Sequence, residues 1–470
     1  MRGPIGLVAV LMLSACQTAP VAPVAPQPLP ASAITSAERS RAPGIVAAVL
    51  RDGRIEHAYT WGGALCDGTG AADINAAYEI GSISKHITAV ALLQLWESGR
   101  VDLDATVGTY LHDIPEAWRA VTLRQLLTHT SGVPDYEEAG GYGVYETSPT
   151  PAEVYAIVSE RPLDFQPGTR WSYSNTGYFL LSLVVQEVSG ERFGDYLRTH
   201  LFAPLHMDHT FMGGYAPAGA VLAQGCKPGE SEGAARIDVR PITEASTFGA
   251  GGISSTVADW ALWDDALFDG RILSPRAMEL LLTTQHLTDG SDSGYGFGMF
   301  ADEFRGTPRF THSGQTQGFS ADYARYRERG VSVILFANTY GARLGGVSRS
   351  LALQVMPELS YDRMAVPPDP DPQLTANTRR ALRQIVFQDA PMDLLDQGMR
   401  GMALDEQGAP SRAILRPYAE HAPELVYLRS DPPDGEYMRH IYKSVIDGET
   451  DYISFTWHQG LLAGIRVEGE

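Results

Sequence analysis

An apolar segment from Ile87 to Trp96 places the strongest constraint on the fold of this chain. At 3.6 residues per turn its apolar side chains cover almost the whole circumference, which predicts a helix buried on all sides and ending at Gly99. Such a helix needs a sheet or other helices around it. Because Ser82 and Lys85 directly precede the segment, the sequence predicts that they lie at the first turn of this buried helix.

Two strand pairs lie far apart in the sequence. Gly44 to Trp61 reads as two strands joined at Asp52-Gly53, which is a hairpin signal. Ser320 to Tyr326 and Val331 to Phe336 form a second antiparallel pair. The residues between the two pairs are mostly helical in pattern, so we expect an α+β fold with a helical region inserted between the strands of one sheet.

The chain of 470 residues is long enough for a large domain and a smaller one. A segment rich in Pro and Asp from Ser360 to Leu374 predicts a linker, with the main domain at 33–362 and a small α+β accessory domain at 375–470. Two helical stretches are expected first in the accessory domain. Beyond Glu424 we expect short strands that turn at Asp434-Gly435, Asp447-Gly448 and Gln459-Gly460.

The first residues indicate export. The apolar run Ile5 to Leu13 is too short to span a bilayer, and Leu13-Ser14-Ala15-Cys16 resembles the lipobox of bacterial lipoproteins. We therefore expect a lipoprotein signal peptide at 1–15, a Pro/Ala-rich linker at 16–32, and a lipid on Cys16 that anchors the protein at the periplasmic face of a membrane in a bacterial cell envelope. The alternative is a plain secretory signal with an incidental cysteine.

Two further cysteines, Cys66 and Cys226, follow the signal. An oxidising compartment allows a bond between them, but the pattern favours two free buried thiols. The formal charge of -20 disfavours phosphate backbones and anionic membrane surfaces as partners, so nucleic-acid binding is excluded from the expected functions.

Three short motifs carry the chemistry: Ser82-x-x-Lys85, Tyr173-Ser174-Asn175 and His312-Ser313-Gly314. A hydroxyl is a weak nucleophile and needs a base within hydrogen-bond reach, which a lysine one helical turn on provides. Any one motif arises readily by chance, but their order and flanking sequences indicate an enzyme that transfers acyl groups through a serine.

The chain resembles the serine β-lactamase and penicillin-binding DD-peptidase superfamily, in particular its class C branch, over roughly Ala33 to Leu359. The resemblance rests on the three motifs and on segments beginning at Gly99, Thr122, Ala250 and Gly314. It implies an α/β (α+β) fold of the β-lactamase/transpeptidase type, in which an antiparallel sheet is flanked by helices.

The resemblance also implies roles. Ser82 would attack the carbonyl, Lys85 and Tyr173 would share the base role, and Asn175 would position the substrate. The backbone N–H groups of Ser82 and Gln315 would form the oxyanion hole. No cofactor and no metal are implied, and the expected partner is a small-molecule or peptide substrate: an ester, a D-amino acid peptide or a β-lactam.

His312 departs from the lactamases, which carry lysine at this position. A histidine is mostly neutral at pH 7 and anchors a carboxylate less well than an ammonium. We therefore expect a serine hydrolase of the esterase, D-aminopeptidase or DD-carboxypeptidase type, with His312, Ser313 and Gly314 binding substrate. A class C-like β-lactamase and a penicillin-binding sensor without turnover are the alternatives, and His312 packing beside the site without touching substrate is another.

Two other histidine patterns stand outside the three motifs. His206 and His209 form a His-x-x-His pair, but no third and fourth metal ligand can be nominated. His129 lies in Thr128-His129-Thr130, where we expect it to hydrogen-bond within its own loop.

Overall fold

The computed structural model describes residues 24–141, 150–214, 216–229, 235–239, 241–242, 248–388, 391–431, 436–446 and 449–468. The expected signal peptide and Cys16 lie outside these ranges. Within them, no helix combines the length and the apolar character needed to cross a membrane.

A seven-stranded sheet forms the centre of the main domain. Its strands are β1 (Gln27–Pro28), β2 (Gly44–Arg51), β3 (Arg54–Gly62), β9 (Phe300–Phe304), β10 (Thr307–Gln315), β11 (Ser320–Tyr326) and β12 (Val331–Ala337). Their order across the sheet is β1-β3-β2-β12-β11-β10-β9. All neighbours are antiparallel except β1 and β3. Both expected strand pairs are confirmed, and they meet where β2 pairs with β12.

Helices cover both faces of this sheet. On one face α1 (Ala31–Ser40) and α10 (Gly345–Val355) pack together over an apolar cluster. The other face carries the inserted helical region, as expected: α2 (Ser84–Glu97), α3 (Leu123–Leu127), α4 (Tyr136–Gly140), α5 (Pro151–Ala156), α6 (Asn175–Ser189), α7 (Phe193–Leu197), α8 (Val257–Phe268) and α9 (Pro275–Leu282). Short strands accompany it: β4 (Tyr78–Glu79), β5 (Phe211–Met212), β6 (Gly225–Lys227), β7 (Ile237–Val239) and β8 (Ile253–Ser255).

Helix α2 is the buried helix that the sequence predicts. Eleven of its fourteen residues are buried, because α6 and the sheet enclose it. It ends at Glu97, just before the predicted stop at Gly99. Burial of a whole helix on all sides holds its first turn in a fixed place relative to the sheet.

The accessory region is an α+β unit, as expected. The sequence indicated two helical stretches, whereas the described residues of this region form three helices that cover one face of a four-stranded antiparallel sheet: α11 (Pro372–Phe387), α12 (Gln397–Leu404) and α13 (Ala409–Glu420). The strands are β13 (Val426–Ser430), β14 (Tyr437–Ile446), β15 (Glu449–His458) and β16 (Leu461–Glu468), in that order. Gln459-Gly460 joins β15 to β16, whereas Asp434-Gly435 and Asp447-Gly448 lie outside the described residues.

The expected linker differs from the structure at its carboxyl end, where regular structure begins earlier than composition predicts. The structure places Gln27–Pro28 in the sheet and begins α1 at Ala31, within the range 16–32 that composition assigns to the linker.

Cys66 and Cys226 form a disulfide, so the expectation of two free thiols was wrong. The pairing was hidden because 160 residues separate the two cysteines, and only tertiary structure brings the Cys66 loop against β6.

Candidate active site

Ser82 lies in a single 3-10 turn, Gly81–Ile83, that leads directly into α2. The turn packs against the end of β10 so closely that neither side can carry a Cβ. A Cβ on Gly81, where φ is +53°, would lie 2.5 Å from the Gln315 nitrogen, and one on Gly314 would lie 1.9 Å from the Ile80 oxygen. Glycine at both positions therefore brings the backbones of Ser82 and Gln315, the expected oxyanion-hole residues, side by side.

Lys85 is completely buried at the first turn of α2. Its Nζ makes three hydrogen bonds, at 3.0 Å to Ser82 Oγ, 2.7 Å to Asn175 Oδ1 and 2.7 Å to the Ala250 carbonyl oxygen. Two of these partners are carbonyl oxygens, which can only accept. A neutral amine has two N–H groups and one lone pair, so when both N–H groups go to these oxygens the lone pair points at Ser82 Oγ.

Burial makes the neutral amine accessible near neutral pH. Desolvation lowers the pKa of Lys85 to about 7, against the opposing effect of the Glu137 and Asp135 carboxylates, which favour the charged form. A base whose pKa lies near the working pH is the most effective kind. Lys85 is therefore both oriented and tuned to take the Ser82 proton.

Asn175 is the first residue of α6, and Ser174 caps that helix by accepting from the Gly177 N–H at 3.2 Å. The Asn175 Nδ2 donates to Glu137 Oε2 at 3.0 Å. Since a carboxylate only accepts, Glu137 fixes which end of the Asn175 amide faces Lys85. Sequence reasoning missed Glu137, although its place one residue beyond the Thr122–Tyr136 segment was a usable signal.

Tyr173 precedes the same helix and is partly exposed. The centroid of its ring lies 4.7 Å from Lys85 Nζ and 4.3 Å from the centroid of the His129 ring. The Ser174 N–H donates to His129 Nδ1 at 3.1 Å. The expectation that His129 hydrogen-bonds within its own loop was therefore wrong. Its ring instead contacts the second motif, packing against Tyr173 and accepting a hydrogen bond from Ser174.

His312 lies on β10 with only 3% of its surface exposed, while the next side chain, Ser313, points outward. Burial lowers the pKa of His312 to about 3, and the charge of Lys85 acts in the same direction. His312 is therefore neutral across the physiological range and cannot act as a cationic anchor for a carboxylate. Gly314 follows, in the close contact with Ile80 described above.

The sequence-predicted residues Ser82, Asn175 and Gln315 line one pocket. Its other lining residues are Tyr136, Glu137, Ile242, Ala250, Gly251 and Thr316. Beside it, burial raises the pKa of Glu79 to about 7, and the Ile242 N–H donates to this carboxyl at 2.7 Å. Glu79 lies in the strand before Ser82, but its type and spacing alone carried no signal of this contact.

The His-x-x-His pair does not assemble a metal site in the described part of the chain, where no group of three or more His, Cys, Asp and Glu side chains is arranged to hold an ion. The backbone N–H of His209 donates instead to Asp259 Oδ2 at 2.8 Å. Asp259 in turn lies in the first turn of α8, where Thr256 caps the helix by accepting from the Asp259 N–H.

Comparisons with known proteins agree with this architecture. The chain is 26% identical over 312 residues to the D-aminopeptidase of Gluconobacter oxydans (strain 621H), which covers 64% of this chain and 56% of that protein. It is 28% identical to the solved D-stereospecific amidohydrolase from Streptomyces sp., covering 68% of this chain and 96% of that one with a TM-score of 0.57. The chain spans about three fifths of the length of the curated relatives it matches.

One solved structure also matches the accessory region, but its sequence identity is so low that the match shows only a shared fold. The octameric penicillin-binding protein homologue from Pyrococcus abyssi is 20% identical, covering 92% of this chain and 97% of that one with a TM-score of 0.60. A family model described as Beta-lactamase matches residues 31–355, which include all three motifs. The chain therefore belongs to the Beta-lactamase family, whose relatives include serine hydrolases with D-aminopeptidase and amidohydrolase names.

Proposed function

We propose that this protein is a serine hydrolase that cleaves amides or esters of amino acids bearing a free amino group, through an acyl-enzyme on Ser82. The observation that carries the proposal is the charge of the pocket. Glu137 places a carboxylate beside Ser82 and Asn175, while His312 is neutral. A pocket of this charge favours a substrate ammonium over a substrate carboxylate.

A carboxylate such as that of Glu137 is a suitable partner for an ammonium, because it carries the opposite charge and only accepts hydrogen bonds. The same carboxylate accepts a hydrogen bond from the Asn175 amide, which ties it to the wall of the pocket next to Ser82. An ammonium bound there would bring its α-carbon, and so the adjacent carbonyl, close to Ser82 Oγ. Relatives named D-aminopeptidase and D-stereospecific amidohydrolase support this substrate class and a preference for the D configuration.

The reaction follows from the geometry around Lys85. Neutral Lys85 takes the proton of Ser82 as Oγ bonds to the carbonyl carbon, and the oxyanion forms beside the backbone N–H groups of Ser82 and Gln315. The bond to the leaving group then breaks and that group receives the proton, with Tyr173 close enough to Lys85 to share the transfer. Water repeats the sequence to release the acid and restore Ser82.

A substrate panel tests the proposal. p-Nitroanilides of D-Ala and D-Phe, their N-acetyl forms and L enantiomers, p-nitrophenyl butyrate, nitrocefin and D-Ala-D-Ala peptides are assayed with the wild type and with Ser82→Ala. We expect the free D-amino compounds to give the highest kcat/KM and Ser82→Ala to abolish all turnover. Equal rates for the N-acetyl and free-amine forms would contradict the role of Glu137.

The two alternatives from the sequence have distinct outcomes in the same panel. Nitrocefin hydrolysis as fast as that of any amide would indicate a β-lactamase. A fluorescent penicillin that stays covalently bound to Ser82 for hours, with no turnover of any substrate, would indicate a sensor.

We propose in addition that the protein is exported and anchored through a lipid on Cys16. The Cys66–Cys226 disulfide supports export, because such bonds persist in oxidising compartments. Incorporation of radiolabelled palmitate into the full chain, lost in Cys16→Ser, is the expected result. A protein that is secreted without label and is unaffected by Cys16→Ser would instead carry a plain secretory signal.

A further inference from the structure

Tyr295 lies directly behind the third motif, in the segment between α9 and β9, and is fully buried. Its hydroxyl oxygen is 3.1 Å from His312 Nε2. The other ring nitrogen of His312, Nδ1, is 2.6 Å from the Ser313 carbonyl oxygen. His312 is thus held at both ends of its ring, once by Tyr295 and once by the backbone of the strand that carries it.

The direction of both hydrogen bonds follows from one atom. A carbonyl oxygen only accepts, so His312 Nδ1 must carry a proton and donate to Ser313. A neutral imidazole has one N–H group, so Nε2 is left with a lone pair, and the Tyr295 hydroxyl is the donor. Burial raises the pKa of Tyr295 well above its usual value, which keeps that hydroxyl protonated.

Tyr295 is itself held in place by aromatic rings. Its ring centroid lies 4.7 Å from that of His129 and 4.8 Å from that of Phe300. The titratable groups that face the Tyr295–His312 pair from neighbouring elements are Lys85, His86, His129, Tyr173 and Tyr178. Lys85 supplies the positive charge in this set, so a proton on His312 would place a second cation beside the first.

We propose that Tyr295 is a positioning residue for Ser82 chemistry that acts through His312. By donating to Nε2 it holds His312 in the single neutral tautomer whose Nδ1–H fixes the Ser313 carbonyl, immediately before Gly314 and Gln315. The pair thereby fixes the backbone of β10 next to Gln315. It also keeps a second positive charge out of the site, which disfavours substrates that need a cationic anchor for a carboxylate. The expected effect on kcat rests on the proposed function, whereas the expected tautomer of His312 does not.

The structural consequence is tested on the full chain by ¹⁵N NMR of the histidine rings, assigned with His312→Gln. We expect wild-type His312 to show a protonated Nδ1 and a hydrogen-bonded Nε2 from pH 5 to 9. In Tyr295→Phe, which keeps the ring and removes only the hydroxyl, we expect the Nε2 resonance to shift because Nε2 loses its donor, and the share of the Nδ1-protonated tautomer to fall. A wild-type ring with its proton on Nε2, or a pattern unchanged by Tyr295→Phe, would overturn the proposal.

The kinetic consequence is tested with the best substrate of the panel. We expect Tyr295→Phe to lower kcat about five- to tenfold with little change in KM, the usual effect of one lost hydrogen bond. In the His312→Gln background the same change should have no further effect, because Tyr295 acts through His312. Additive losses in the double variant would assign Tyr295 a separate, merely structural role.

Tyr326→Phe is the matched control. Tyr326 is also fully buried, but it lies in the apolar cluster on the other face of the sheet. We expect it to leave the His312 resonances and kcat unchanged. If no substrate is turned over by the wild type, the proposed function fails, while the NMR result still decides the tautomer of His312.

Discussion

Lys85 Nζ and Asn175 Oδ1 are joined by a hydrogen bond of 2.7 Å between the first turns of two buried helices, α2 and α6. The two residues are 90 positions apart in the sequence. Because Glu137 fixes the Asn175 amide, Oδ1 can only face Lys85, and the lysine lone pair is left for Ser82. Orientation of the base thus depends on a residue outside the three motifs.

The rate should depend on pH through Lys85. The reactive form is the neutral amine, and burial lowers the pKa of Lys85 from 10.5 to about 7. For p-nitrophenyl butyrate, which has no amino group of its own to titrate, we therefore expect kcat/KM to rise tenfold per pH unit below about pH 7 and to level off above it. Rates between pH 5 and 9 at constant ionic strength measure this, and a rise that continues to pH 10 would show an unperturbed lysine.

Glu137→Gln should shift that profile. The Glu137 carboxylate favours charged Lys85, so its removal lowers the pKa of Lys85 further and moves the acid limb of kcat/KM to lower pH. For free-amine substrates we also expect KM to rise about tenfold or more, as for a lost charged hydrogen bond, with no such rise for p-nitrophenyl butyrate. Glu138→Gln, at an exposed neighbour on α4, is the control and should behave as wild type.

Gly314→Ala should disable the oxyanion hole. The new Cβ would lie 1.9 Å from the Ile80 oxygen, so the strand and the Ser82 turn must separate. We expect kcat to fall about 100-fold or more, the cost of losing one oxyanion donor. Gly345→Ala, where a Cβ meets nothing within 4 Å, is the control and should leave both kcat and the melting temperature unchanged.

Removing the disulfide should destabilise the main domain. The bond closes a loop of 160 residues. Its loss in Cys66→Ser/Cys226→Ser raises the conformational entropy of the unfolded chain, so we expect the free energy of unfolding to fall by about 2–5 kcal/mol. Denaturant unfolding of the variant, and of the wild type with and without reductant, measures this. A variant as stable as oxidised wild type would show that the bond contributes nothing to folding.

The sequence predicts the sheet pairs, the buried helix and the three motifs because each is a local pattern with a strong physical cause. Val46 and Phe336 lie in continuous apolar runs that pair with each other, and Ser174 is a natural helix cap. The remaining features depend on contacts between distant segments. Cys66 with Cys226 and Tyr295 with His312 have no local sign of their partners, because only tertiary structure brings each pair together.

The pairing of β2 with β12 matters while the chain is being made. Ile45 lies opposite Ala337, so the first hairpin waits for a strand that is synthesised nearly 300 residues later. Until then β2 has one unpaired edge, which is where chains associate with one another. Closing so long a loop is also slow. A chain interrupted before β10 lacks Gln315, whose backbone N–H we propose as one donor of the oxyanion hole. We therefore expect Ser82 to stay inert until almost the whole main domain exists.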